Sequence, residues 1–125
     1  MSEYKMIVMD MDDTLMNHEN QMSPETESYL IDIQNKGYKV VLASGRPTEG
    51  MLPTAKTLQL DKFQSYVISY NGGKTVNVNT EVVEVSRTVS KENFDFIVDY
   101  CRKNGLFVLT YQDGFIVYEG EHEYM

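Results

Sequence analysis

Cysteine is almost missing from this chain: Cys101 is the only one among 125 residues. No internal disulfide can form, and a reducing cytoplasm fits. Basic residues are also in deficit, 11 against 19 acidic, for a net charge of −8. That balance argues against a non-specific hold on DNA, RNA or an anionic membrane. An anionic substrate stays open, because a metal ion or an Arg can reverse the field inside a cleft. No apolar run approaches the ~20 residues of a membrane span, and the first residues do not read as a signal peptide. Internal repeats and low-complexity stretches are absent too.

What is present suffices for one domain with a core, since hydrophobic residues make up 42% of the sequence. Met6-Ile7-Val8-Met9 reads as a buried strand and runs straight into Asp10-Met11-Asp12-Asp13-Thr14-Leu15. Ser23-Pro24-Glu25 opens a helix: Ser caps, Pro suits the first helical position, and Glu favours the positive end of the dipole. Tyr29, Leu30 and Ile33 give that helix an apolar face, and Gly37 ends it. Val40–Ala43 is a second apolar strand. Thr48–Leu58 carries Met51, Leu52, Ala55 and Leu58 at helical spacing. Tyr66-Val67-Ile68 is a third strand, stopped by Asn71-Gly72-Gly73. Apolar strands separated by amphipathic helices predict an α/β fold, with parallel strands covered on both faces.

After Gly73 the pattern changes. Thr75–Val78 and Val82–Val85 predict a hairpin around Asn79-Thr80. Ser90 caps a helix with Phe94, Ile97, Val98 and Cys101 on one face, where Cys101 packs. Phe107–Tyr111 and Phe115–Tyr118 flank Asp113-Gly114, a hairpin turn signal. This ββαββ run predicts a separate antiparallel sheet with one helix. The expected division is 1–73 and 74–125. His18 and His122 lack partners at metal spacing and are assigned to the surface.

Three carboxylates within four positions (Asp10, Asp12, Asp13) repel one another and need compensation. A divalent cation with oxygen ligands supplies it. Residues i and i+2 on extended backbone point the same way, so Asp10 and Asp12 can face one cleft. A cation on Asp10 keeps that carboxylate ionised and able to attack as a nucleophile. Asp12, held off the metal in a less polar spot, would have a raised pKa and could donate a proton. Phosphoryl transfer suits that pair. Ser44 can hydrogen-bond a phosphoryl oxygen, and Gly45 lets backbone approach closely. Arg46 can pair with phosphate or with another acid of the site. Asn71-Gly72-Gly73 can present backbone N–H groups to an anion. All three motifs fall at strand ends, where ligands of such sheets bind.

Asp10-Met11-Asp12-Asp13-Thr14-Leu15 resembles the first motif of the haloacid-dehalogenase-like phosphatases, Asp-x-Asp-x-Thr. Ser44-Gly45-Arg46 is similar to the second motif in its Cof-type form, and Asn71-Gly72-Gly73 to the turn that leads into the Cof-type cap. The resemblance implies a Rossmann-like core, three strands of it present, followed by part of an α+β cap. It implies Asp10 as the nucleophile that becomes an aspartyl-phosphate, and Asp12 as general acid, then base. It implies Mg²⁺ on the Asp10 carboxylate and the Asp12 backbone carbonyl, with Ser44 on the phosphoryl group and Arg46 as a substrate contact. The substrate implied is a small phosphorylated metabolite, selected by the cap.

The family's third-motif Lys and its later Gly-Asp-x-x-x-Asp are missing, and no Gly-Asp pair occurs anywhere. The acid-rich ending 119–125 does not read as a natural domain end. The chain is therefore expected to be an amino-terminal part. In the family, strand one lies between strand two and a later strand. Without that strand its apolar edge is expected to open and to drive self-association. Two other classes compete. A receiver-type phospho-acceptor domain needs its acceptor Asp after strand three, where Ser69-Tyr70 stand. A non-catalytic metal-binding or interaction fragment fits the missing half of the site.

Overall fold

The computed structural model describes residues 3–120; His122 and most of the acid-rich ending lie outside them. The elements run β1 (Met6–Asp10), α1 (Pro24–Asn35), β2 (Lys39–Ala43), α2 (Thr48–Thr57), β3 (Tyr66–Ser69), β4 (Lys74–Asn77), β5 (Val83–Ser86), α3 (Lys91–Lys103), β6 (Val108–Gln112) and β7 (Phe115–Glu119). A 3₁₀ turn, Tyr70–Gly72, joins β3 to β4. Two compact units form, dividing between Arg87 and Thr88.

The first unit is an α/β layer structure around one sheet of order β1-β2-β3-β4-β5. β1, β2 and β3 are parallel; β4 and β5 run antiparallel. Local sequence explains the helices. The Ser23 hydroxyl accepts the Thr26 N–H at 3.1 Å, and Pro24 follows at the first helical position. At the other end Tyr38 N–H donates to the Ile33 carbonyl and Gly37 N–H to that of Gln34. This Schellman pattern needs the left-handed φ of +96° that Gly37 adopts.

Leu30 and Ile33 of α1, Met51 and Ala55 of α2, and Val40, Leu42, Val67 and Val76 of the sheet share one core. Val40 and Leu42 point to one face of β2 and Val41 to the other, and all three are buried. β2 is thus covered on both faces, as the sequence predicts. Gln34 is buried too, donating to the Leu30 and Leu58 carbonyls at 3.1 and 2.9 Å and so tying α1 to the end of α2.

Two expectations need correction. β1 is not a buried strand: Met6, Ile7 and Val8 are 49%, 37% and 51% exposed. It pairs only with β2 among the described residues, so an apolar run lies at a sheet edge. The second concerns the expected boundary at residue 73. Tyr70, Asn71 and Gly72 all have positive φ and reverse the chain on the spot. β4 then pairs with β3 from Ser69↔Lys74 to Tyr66↔Asn77. The first predicted hairpin therefore extends the parallel sheet and does not join a separate one.

The second unit holds α3 and the β6–β7 hairpin. Ser90 caps α3 by accepting the Asn93 N–H at 3.2 Å, and Asp113-Gly114 turns the hairpin with both residues at positive φ. Arg102 Nε donates to both Glu119 carboxylate oxygens at 2.9 and 2.8 Å, joining helix to hairpin. Phe94, Ile97, Leu109, Val117 and Tyr118 remain substantially exposed, and no apolar residue described in this unit is fully buried.

Leu42 is fully buried at the centre of the first core. Leu42→Ala should cost about 2–5 kcal/mol in denaturant unfolding. Val85→Ala, at an exposed edge position, should change stability by less than about 1 kcal/mol.

Candidate active site

Strand register brings the three motifs to one edge. Asp10, the last residue of β1, lies opposite Ala43, and Ala43 lies opposite Ile68. The loops that follow are stitched together. Ser44 N–H donates to the Ile68 carbonyl at 2.9 Å, Asn71 N–H to the Ser44 carbonyl at 3.1 Å, and Tyr70 N–H to the Arg46 carbonyl at 2.9 Å. These are the carboxyl ends of parallel strands, where α/β sheets bind ligands.

The loop after β1 is anchored by Met11, which is fully buried while Asp10 and Asp12 on either side are exposed. The alternation expected of extended backbone thus turns both acids outward together. Met16 N–H donates to the Met11 carbonyl at 2.8 Å and Leu15 N–H to that of Asp10 at 3.3 Å, closing the loop. Asp13 adopts φ +58°, a conformation that Asp tolerates better than most residues. Its carboxylate meets His18 Nδ1 at 2.8 Å, with both side chains largely exposed.

Arg46 chooses the acid rather than leaving both of its predicted partners open. Nε donates to Asp12 Oδ2 at 3.1 Å and Nη2 to Oδ1 at 2.6 Å, a two-point ion pair. Nη2 also donates to Asn20 Oδ1 at 2.7 Å, and Nη1 reaches the Gly50 carbonyl at 3.4 Å. Hydrogen bonding from Arg46 holds the Asp12 carboxyl below its ordinary value. The expected pKa rise is therefore reversed in this arrangement. The expectation assumed a less polar setting, whereas the Asp12 side chain is 57% exposed and faces a guanidinium.

Ser44 is buried at 7% exposure. Its Oγ accepts the Arg46 N–H at 3.1 Å, which leaves the hydroxyl proton to donate elsewhere. Gly45 permits a close approach: a Cβ there would sit 3.0 Å from Asn71 Oδ1. The expected row of anion-facing N–H groups at Asn71-Gly72-Gly73 is largely spent internally. Asn71 N–H goes to Ser44, and Gly73 N–H goes to the Tyr70 carbonyl at 3.1 Å. Thr48 Oγ1 and Ser69 Oγ, 2.7 Å apart and buried, brace the same corner.

The donor set can be weighed against a cation. Asp10's carboxylate has no hydrogen-bond or ion-pair partner among the described residues, and no group of three His, Cys, Asp or Glu converges there. Oxygen donors of low number suit Mg²⁺, which keeps several waters and takes one or two carboxylates plus substrate phosphate. They do not suit Zn²⁺, which prefers nitrogen and sulfur.

Sequence reasoning missed Asn20, Gly50 and the Thr48–Ser69 pair. Asn20 had one readable signal: Asn17-His18-Glu19-Asn20 carries two residues prone to side-chain-closed turns.

The family profile of the haloacid dehalogenase-like hydrolases matches residues 7–125. Among curated proteins, 5-amino-6-(5-phospho-D-ribitylamino)uracil phosphatase YcsE of Bacillus subtilis (strain 168) is 33% identical over 82 residues, 66% of this chain and 32% of its own length. Phosphatase YwpJ of the same organism is 35% identical over 68 residues, 54% of this chain and 23% of its own. A solved haloacid dehalogenase-like hydrolase from Bacteroides thetaiotaomicron superposes with a TM-score of 0.83 at 37% identity, covering 94% of this chain and 44% of its own. The chain thus spans less than half the length of these relatives.

Arg46→Met should return the Asp12 pKa to the ordinary carboxylate range, read by carboxyl-carbon NMR titration. The lowered pKa means that the pair stabilises the fold above the unfolded value and loses this as pH falls through the folded one. The substitution should therefore cost at most about 1 kcal/mol near neutral pH, the pair being half exposed. Well below the carboxylate range it should cost nothing from this source.

Proposed function

The chain belongs to the haloacid dehalogenase-like hydrolases, and from that premise we propose that it carries the nucleophile half of a Mg²⁺-dependent phosphomonoesterase. The observation behind the reading is the meeting of Asp10, Asp12, Ser44, Arg46 and Asn71 at three adjoining strand ends.

The Asp10 carboxylate and the Asp12 backbone carbonyl would hold Mg²⁺. Bound there, the ion offsets phosphate charge and favours in-line attack. An Asp10 oxygen attacks phosphorus as the ester P–O bond breaks, and the leaving oxygen takes a proton from Asp12. Water then attacks the phosphorus of the aspartyl-phosphate. Asp12 receives the water's proton, the Asp10–phosphorus bond breaks, and inorganic phosphate leaves. For the first step Asp12 must be protonated, so its ion pair with Arg46 has to open before or during substrate binding. Ser44 has a proton to give a phosphoryl oxygen, Gly45 keeps the neighbouring backbone close, and Asn71 completes the rim.

A small phosphorylated metabolite is the substrate class, in keeping with the reaction named for YcsE. The first unit then represents the amino-terminal part of a Rossmann-like core, and the second unit the start of a cap. A reducing cytoplasm keeps Cys101 a thiol, and no described helix is long and apolar enough to cross a membrane.

Aryl-phosphate hydrolysis is the direct test. Turnover that needs Mg²⁺, stops on chelation and falls at least about a thousandfold in Asp10→Asn is expected of the protein that carries this chain within a full-length site. Mg²⁺ binding without turnover by the 125 residues alone favours the non-catalytic reading for that piece.

The exposed β1 edge supports a second copy as partner. Met6, Ile7, Val8, Tyr4, Tyr29 and Tyr38 border an open cavity of about 660 Å³. Light scattering should show association of the 125-residue chain that Val8→Lys abolishes. A monomer at all concentrations contradicts it.

A further inference from the structure

Arg46 has five N–H donors in a rigid fork. Two of them, on Nε and Nη2, face the two oxygens of Asp12. The other Nη2 hydrogen goes to Asn20 Oδ1 at 2.7 Å, and Nη1 reaches toward the Gly50 carbonyl at 3.4 Å. The guanidinium is thus gripped on two sides, and the two grips differ in kind. Asp12 is charged and belongs to the reacting machinery. Asn20 is neutral and lies outside the motifs that carry the chemistry.

Asn20 is held ready for this contact. It adopts φ +60°, which Asn tolerates. The loop that presents it is closed by its own bonds. Asn17 N–H donates to the Gln21 carbonyl and Asn20 N–H to the Asn17 carbonyl, each at 2.9 Å. Asn17 Oδ1 also accepts the N–H groups of Glu19 and Gln21 at 2.9 and 3.0 Å. The backbone of Asn20 is therefore held before Arg46 arrives, which lowers the entropy cost of the contact. A neutral acceptor also leaves the full charge of Arg46 to whatever occupies the Nε–Nη2 edge.

We propose that Asn20 is a positioning residue that anchors Arg46, so that the Nε–Nη2 edge keeps its place while its occupant changes from the Asp12 carboxylate to a phosphoryl group. Both occupants present two oxygens to a guanidinium fork, so one edge serves either. Asp12 is then the partner that leaves, which releases it for proton transfer at the moment Arg46 takes the phosphoryl charge. The phosphoryl occupant rests on the proposed phosphatase reading; the anchoring of Arg46 does not.

The test follows the Arg46 Nε–H signal by proton–nitrogen NMR in the 125-residue chain. In wild type it should be sharp and slow to exchange with water. Asn20→Ala should speed that exchange about fivefold, the loss of one exposed hydrogen bond. Asn20→Asp, which retains an acceptor oxygen, should keep it slow. The amide signals of Glu19 and Gln21 should stay in place in both variants, marking an intact loop. Titration with inorganic phosphate in Mg²⁺ should then move the wild-type Nε–H signal, with an affinity about fivefold weaker in Asn20→Ala. Unchanged exchange in Asn20→Ala, or equal loss in both variants with the loop intact, overturns the anchoring. A wild-type signal indifferent to phosphate contradicts the phosphatase reading instead, while the exchange rates still decide the anchor.

Discussion

Repulsion among Asp10, Asp12 and Asp13 governs how this corner of the molecule is built. Three carboxylates in four positions share one strand end, and each is handled differently. Asp13 turns into left-handed backbone and meets His18. Asp12 is held at two points by Arg46, which arrives from the loop after β2. Asp10 makes no hydrogen bond or close ion pair among the described residues and meets Arg46 only through its charge. Sorting the charges this way leaves one acid exposed to a cation and a second one close by under the control of a guanidinium. Division of labour between two carboxylates needs such a difference in surroundings.

The fold supplies the distances. Parallel pairing of β1, β2 and β3 sets their carboxyl ends level, and backbone bonds from Ser44, Tyr70 and Asn71 lock the loops to one another. Met11, between Asp10 and Asp12, and Leu42, next to Ala43 at the end of β2, belong to the buried core. Close packing there resists small displacements, and displacements of an ångström matter for phosphoryl transfer. The second unit contrasts with this. Its helix and hairpin are well capped and turned but bury no apolar side chain fully among the described residues, so local signals rather than a core define it.

Much of this was legible in the sequence. The α/β pattern, the caps at Ser23 and Ser90, the Gly37 stop and the Asp113-Gly114 turn all act over a few residues, so a linear reading finds them. The place of each motif at a strand end follows from the same local pattern. What was not legible depends on partners distant in sequence. An apolar run such as Met6–Met9 looks alike in a central and an edge strand; its open edge was legible only through the family resemblance, from the missing later strand, and the strand pairing agrees. The expected boundary fell at residue 73 because Asn-Gly-Gly permits both a domain junction and a tight reversal. The direction of the Asp12 pKa shift turned on which partner Arg46 takes, 34 positions away, and Asn20 entered only through that same guanidinium.

The proposed reaction stands or falls on attack of Asp10 at phosphorus. Rapid-quench trapping, with borohydride reduction of any acyl phosphate and peptide mapping by mass spectrometry, reads this directly. A reduced residue at Asp10, formed only with Mg²⁺ and substrate present, is the predicted result. Turnover without any trapped intermediate, or modification mapped to Asp12 or another residue, would contradict it.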